Sequence, residues 1–282
     1  MIAQQRDEAV SLTTSEFNYI CQFAYDCAGI VLNEAKREMV YRRLTRIVRE
    51  RKLPSFSAYC KLLKAKPEQE ERYFINAITT NLTSFFREQH HFDFLSKTEL
   101  PRLLSRNNTN KRIRIWSSAS STGEEPYSIA VTLQEALADD CSHWDAKILA
   151  TDIDSNVLTQ GKAGIYPLES VADIPQYLKN KYFKRGLGSS KEQVKVNSSL
   201  QNCIRFKQLN LLAPWPMQGP FDIIFCRNVI IYFDKQTQIN LFERYYHMLA
   251  PGGLLILGHS ENLGAYQQYF ENVGRTMFRK PF

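Results

Sequence analysis

The stretch Lys111–Ala138, KRIRIWSSASSTGEEPYSIAVTLQEALA, decides the fold. It opens with the β-rich run KRIRIWSS, crosses a loop of small residues and continues as the helical run EPYSIAVTLQEALA. The same alternation is repeated in AKILATDID followed by SNVLTQGKAGI. It returns in CIRFKQLNLL, FDIIFCRNVIIYF and QTQINLFERYYHMLA, then a turn at Pro251-Gly252-Gly253 and the run LLILGHS. Strands alternating with helices imply βαβ units and a parallel sheet. The nearly all-apolar FDIIF fits a central strand covered on both faces. The expected fold is an α/β, doubly wound sheet.

Upstream of this region, residues 14–98 read as helices throughout, as in SEFNYICQFAYDCAGI and AKREMVYRRLTRIVRERKL, broken at Pro54 and Pro67. The expected division is a helical domain over 1–80, a helical linker over 81–110 and the α/β domain over 111–282. Between about 166 and 200 the alternation lapses into a Gly/Ser-rich stretch beside EQVKVN, which reads as an insertion containing a small hairpin.

With 282 residues, 44% of them apolar and 23% charged, the chain belongs to the ordinary globular class. It has no run of 18 apolar residues, and MIAQQRDEAV lacks the basic and apolar regions of a secretory leader, so a cytoplasmic protein without membrane insertion is expected. Its six cysteines form no CxxC pair, which argues for reduced thiols rather than a zinc ribbon or a disulfide framework. The adjacent His90 and His91 would point about 100° apart on a helix, so no metal site is expected. The net charge of +7 is uneven: residues 36–66 hold eleven Lys/Arg against Glu38 and Glu50. There Val40, Leu44, Ile47 and Val48 form an apolar stripe, opposite Arg42, Arg46 and Arg49. Such a comb is usually a solvated face, but it also suits a partner of dense negative charge.

In open α/β sheets ligands bind beyond the carboxyl ends of the strands. Four such ends carry polar residues: Ala119 to Pro126, Asp152 with Asp154, Asn210-Leu211, and Arg227-Asn228 with Tyr232 four residues on. The first loop has one glycine where a dinucleotide fingerprint needs three, so a pyrophosphate cradle is not expected. Two acids, Glu124 and Glu125, suit instead a ligand with a cationic amine and a ribose, such as S-adenosylmethionine, although acids also favour a helix N-terminus by themselves.

Several blocks together resemble the chemotaxis receptor methyltransferases, the CheR family. They are Asn81-Leu82-Thr83-Ser84-Phe85-Phe86-Arg87-Glu88, Ser121 to Ser128, Thr151 to Asp154, Phe225-Cys226-Arg227-Asn228-Val229-Ile230-Ile231-Tyr232-Phe233, and Gly258-His259-Ser260-Glu261-Asn262. The resemblance runs from about residue 14 to the C-terminus. It implies a class I methyltransferase-type sheet with an N-terminal helical domain and a small inserted β-subdomain. It implies S-adenosylmethionine as cofactor, with S-adenosylhomocysteine as product, and glutamate side chains of receptors as methyl acceptors. In this reading Asn81, Thr83 and Arg87 close over the cofactor, Glu125 meets its amine and Asp152 its ribose. Asn210, Leu211, Arg227 and Asn228 complete the lining, and Tyr232 faces the transferable methyl. Arg87 either steers the incoming carboxylate or pairs with Glu88 or a cofactor carboxylate.

The implied partners are the acidic cytoplasmic helices of methyl-accepting receptors, met by Arg42, Arg46 and Arg49, with a receptor C-terminal peptide at the β-subdomain in tethering members. Two other functions fit parts of the sequence. A nucleic-acid methyltransferase would use the same basic helix on phosphates, but Arg-Asn-Val-Ile-Ile-Tyr replaces the Asn/Asp-Pro-Pro-Tyr/Phe or Pro-Cys motifs of such enzymes. An inactive receptor-binding scaffold would be expected to lose strand-end polar residues, and they are present here. A monomer is expected.

Overall fold

The computed structural model describes residues 11–282; the stretch MIAQQRDEAV, read above for a leader, lies outside the described residues. The chain forms two compact units, Met1–Thr80 and Asn81–Phe282.

The first unit is helical: α1 (Thr14–Ala28), α2 (Arg37–Glu50), α3 (Phe56–Ala65) and α4 (Pro67–Ile78). A capping box starts α1, where Thr13 accepts from the Glu16 N–H while Glu16 accepts from the Thr13 N–H, and Gly29 ends it in the left-handed conformation. Ser55 caps α3, and Pro67 occupies the first turn of α4, where its missing N–H costs nothing. Helix α2 buries Val40, Leu44, Ile47 and Val48 and exposes Arg42, Arg46 and Arg49.

Residues 79–89 are not helical, which corrects the expectation of helix throughout 14–98 and of a helical linker from 81. Polar side chains of the sheet region compete there for the backbone: the Phe86 N–H donates to Ser128 Oγ, and Ser121 Oγ donates to the Asn81 carbonyl. Phe86 and Glu88 both have positive φ, which no helix accommodates. Helical backbone resumes with α5 (His90–Phe94), passes through a π-turn at Leu95–Glu99 and continues as α6 (Leu100–Arg106).

There follow β1 (Arg112–Ser117), α7 (Glu124–Leu137), β2 (Asp145–Asp152), α8 (Ser155–Ala163), β3 (Ile165–Pro167), α9 (Gln176–Tyr182), β4 (Phe183–Arg185), β5 (Gln193–Val196) and α10 (Ser198–Cys203). The chain ends with β6 (Ile204–Gln208), β7 (Phe221–Cys226), α11 (Lys235–Met248), β8 (Leu249–Leu257), β9 (Glu271–Gly274) and β10 (Met277–Arg279). The main sheet has the order β6-β2-β1-β7-β8-β10-β9. Its first five strands are parallel, and β10 is antiparallel to both neighbours. All six residues of β7 are buried, as the apolar run FDIIF requires of a strand with cover on both faces. The chain builds outward from β1 to β2 and β6 on one side and to β7 and β8 on the other, so the strand order reverses at β1. That reversal opens a crevice beyond the carboxyl ends of β1, β2 and β7.

The insertion is a separate antiparallel sheet, β3-β5-β4, one strand more than the hairpin expected and starting at Ile165 rather than 166. Its strand β5 alternates exposed and buried residues, as the polar-apolar pattern of EQVKVN requires.

Candidate functional site

The carboxyl ends of the central strands are lashed together by side chains. Trp116 Nε1 donates to Thr151 Oγ1 at 2.9 Å, and Thr151 Oγ1 donates to the Ser118 carbonyl at 3.0 Å. Tyr245 Oη, from α11, donates to Ser118 Oγ at 2.8 Å, which donates to the Phe225 carbonyl at 2.9 Å. The loop beyond β1 turns through Ser121 and Gly123, both with positive φ. A Cβ on Gly123 would come within 2.8 Å of Tyr166 Oη and 2.9 Å of Gly161 Cα, so this glycine serves packing. The turn at Ser121 aims its N–H at Asp152 Oδ2, 2.8 Å away, while the other carboxylate oxygen accepts from the Asp154 N–H at 3.0 Å. Asp152 is 9% exposed, and burial pushes its carboxyl up to about 6 against these two donors. Asp154 Oδ2 accepts from Asn81 Nδ2 at 2.8 Å, which brings Asn81 to the end of β2.

Beyond β7, Arg227 reaches back to α7. Its Nη1 lies 3.0 Å from Glu125 Oε2, and Ser117 Oγ donates to Glu125 Oε1 at 2.7 Å. Both partners are deeply buried, Arg227 at 5% and Glu125 at 8% exposed. Burial raises the Glu125 carboxyl above its ordinary range, opposed by the Arg227 guanidinium. Arg227 Nη2 donates to the Arg87 carbonyl and lies 3.4 Å from Glu88 Oε2. Arg87 is half-buried, donates from Nη1 to the Leu82 carbonyl at 2.8 Å, and lines a groove of about 700 Å³ with Phe86, Asp173 and Tyr177. Thr83 is half-buried. Asn210 accepts from the Leu212 N–H, and the buried Leu211 offers its carbonyl to Trp215 and Arg244. Asn228 sits in the left-handed region with φ 58°, and half-buried Tyr232 ends the 3₁₀ turn Ile230–Tyr232.

Residues 81–279 match the family described as CheR methyltransferase, SAM binding domain, and residues 15–79 match the CheR methyltransferase, all-alpha domain. The chain belongs to the CheR methyltransferase family. It is similar to the chemotaxis protein methyltransferase of Salmonella typhimurium, 43% identical over 97% of this chain and 93% of that protein. Chemotaxis protein methyltransferase 2 of Pseudomonas aeruginosa is 44% identical over 94% and 93%, and the chemotaxis protein methyltransferase of Borreliella burgdorferi 39% identical over 90% of each.

This CheR-family enzyme uses S-adenosylmethionine as methyl donor, and the chemistry of its strand-end groups suits that molecule. The donor's amino-acid end carries one ammonium and one carboxylate, and Glu125 with Arg227 offers the complementary charges side by side. Asp152 carries a carboxylate of the kind that suits ribose hydroxyls. Arg227 Nε and Ser120 Oγ are buried without a hydrogen-bond partner among the described residues, so two more polar atoms belong to these same strand ends.

Sequence reasoning gave Glu88 only the part of a partner for Arg87. Its carboxylate instead faces Arg227, His91 and His259, and accepts from Asn228 Nδ2 at 3.4 Å. Likewise, His90 and His91 are not splayed as a regular helix would hold them: their ring centroids lie 4.0 Å apart. Ligand atoms of Glu88, His90 and His91 approach within 4.8 Å of one another, closer than the argument from helix geometry allowed. In that cluster the positive charge facing Glu88 is Arg227's, and burial together with Arg227 pushes His91 down to about 3, hence neutral. Glu261 carried no role in the sequence reading. Its signal was positional, since Gly258 to Asn262 follows a strand directly.

Proposed function

We propose that this chain methylates glutamate side chains of chemotaxis receptors, forming glutamyl methyl esters. The observation that carries the reading is the buried pair Glu125–Arg227 beside Asp152 at the strand ends, because it matches the charges and ribose of the methyl donor. When bound, S-adenosylmethionine supplies an electrophilic methyl on a sulfonium. No general base is required, since a glutamate acceptor with an ordinary pKa of about 4.3 is already ionised at neutral pH. The protein's task is therefore alignment, which contributes on the order of 7–11 kcal/mol in favourable systems. Glu125 and Arg227 hold the amino-acid end and Asp152 the ribose. Asn81, Thr83, Asn210, Leu211 and Asn228 complete the lining. Arg87 steers the acceptor carboxylate, a role supported by its half-buried position next to Glu88 and by the hydrogen bond that its own carbonyl accepts from Arg227, and Tyr232 orients that carboxylate toward the methyl.

The exposed arginines of α2 dock on the acidic helices of the receptor's cytoplasmic region. A cytoplasmic monomer fits this role, and among the described residues no helix is long and apolar enough to cross a membrane. Among the described residues the outer strands β3 and β4 of the small sheet each have a strand neighbour on one side only, which suits strand addition by a receptor tail peptide. Nucleic acid is not the substrate in this reading, because the turn after β7 is Arg-Asn-Val-Ile rather than a proline motif aimed at a base.

The deciding experiment transfers labelled methyl from S-adenosylmethionine to a purified receptor cytoplasmic fragment, then releases it with mild alkali. Volatile labelled methanol is the expected result. Alkali-stable label in RNA or DNA, with none on receptor, would overturn the proposal. Arg87→Ala is expected to lose transfer while keeping cofactor affinity; parallel loss of both would remove the steering role.

A further inference from the structure

Glu261 lies in the turn after β8 and is almost fully buried, yet it faces no cation among the described residues. Its carboxylate accepts four backbone N–H groups instead. Oε2 takes those of Gly258 at 2.7 Å and Asn228 at 2.8 Å, and Oε1 takes those of Val229 at 2.9 Å and Ile230 at 3.1 Å. Three consecutive amides, 228 to 230, thus converge on one carboxylate. Converging amides of this kind form an anion-binding concavity, and the anion here is the chain's own, delivered from the neighbouring strand. The arrangement demands the left-handed backbone seen at Asn228. It also demands a glycine at 258, where a Cβ would come within 2.6 Å of Asn228 Nδ2 and 2.8 Å of Glu261 Oε2.

The segment so held runs directly from Arg227 through Asn228 to Tyr232. We infer that Glu261, seated against Gly258, is a positioning residue for methyl transfer: its four N–H acceptances fix the turn that presents Arg227, Asn228 and Tyr232. The inference rests on the roles proposed above for those three residues. Charge matters as well as shape, since a glutamine would keep one acceptor oxygen and turn an NH₂ toward amides that also donate.

The test compares Glu261→Gln, Gly258→Ala and, as reference, Arg227→Lys. For each, binding of S-adenosylhomocysteine by calorimetry and single-turnover transfer at saturating donor are measured per folded molecule, with amide NMR signals of residues 228–230. In Glu261→Gln the three amide signals should shift together, and turnover should fall about 100-fold, the loss that a misplacement of about 1 Å produces. Conformational stability should not account for that loss, because it is read on folded protein only. Gly258→Ala should reproduce the pattern, and carries the test if Glu261→Gln does not fold. Turnover within a few fold of the parent in the folded variants, while Arg227→Lys is impaired, would overturn the positioning role alone. An unimpaired Arg227→Lys would instead overturn the underlying assignment of the site.

Discussion

Asp152 is asked to be a carboxylate in a place that resists one. Burial raises its carboxyl from the ordinary 3.8 to about 6, so the folded protein binds this proton more tightly than the unfolded chain does. Between those two values the folded state carries more proton, and the residue's contribution to stability therefore falls as pH climbs through that window and stays low above it. If Asp152 holds the donor's ribose as proposed, donor binding should run the other way, because ribose hydroxyls need the ionised acceptor. Affinity for S-adenosylhomocysteine is expected to weaken as pH drops below about 6, and Asp152→Asn should bind weakly with that pH dependence removed. Calorimetry from pH 5 to 8 would show it, and a flat profile in the parent protein would count against the role. That Asp152, Glu125 and Arg227 stand at the carboxyl ends of strands was legible in the sequence, because strand ends are legible. Their partners were not. That Arg227 takes Glu125 from 102 positions away, and Glu88 in place of Arg87's pairing, depends on which strands become neighbours, and no local pattern carries that.

Among the elements, α2 was the most legible, since a helix that packs on one side must repeat its apolar residues every three to four positions. Residues 79–89 were the least, because their backbone is held by side chains distant in sequence, Arg43 of α2, Ser128 of α7, Ser121 and Arg227, rather than by a helical ladder of its own. The helical run that follows is fixed to the sheet by a comparable long-range contact. Glu99, 0% exposed, receives Arg102 at 2.6 Å and Arg279, from β10, at 2.7 Å. Burial opposes its charge, but the two guanidinium groups prevail and hold the carboxyl below its ordinary range. A depressed carboxyl contributes stability above its ordinary pKa and loses it as pH falls through the depressed value. Glu99→Ala leaves Arg279 buried and unpaired, which should cost about 3–5 kcal/mol. Urea unfolding at pH 7 measures that loss, and the difference from the parent should shrink in acid. An equal difference at both pH values would mean that packing, rather than the ion cluster, joins the π-turn to β10.

At the level of the whole molecule, alternating strands and helices announced the parallel sheet, but the terminal β9 and β10 escaped notice. Strands of four and three residues are too short to show a period, and β10 enters between β8 and β9 only after the sheet exists. Charge distribution was fully legible. The net charge of +7 is exceeded by the excess within residues 36–66 alone, where eleven basic residues oppose two acids. Arg46 meets Glu50 at 2.7 Å, but its side chain is 82% exposed, so that pair ties up little of its field. If these arginines meet an acidic receptor helix, kcat/KM for receptor should drop steeply as salt contracts the screening length from about 8 Å near 0.15 M to about 3 Å at 1 M. Binding of S-adenosylhomocysteine, which the proposal assigns to buried charges at the strand ends, should hardly change over the same range. Replacing Arg42, Arg46 and Arg49 together by Glu should lower kcat/KM at low salt by at least about tenfold, the equivalent of 1.4 kcal/mol, and flatten the salt response. The split between the two responses is what identifies docking. A salt effect of equal size on cofactor binding would place the sensitivity in the second unit instead, and a triple variant with the parent's salt slope would return the comb to an ordinary solvated face.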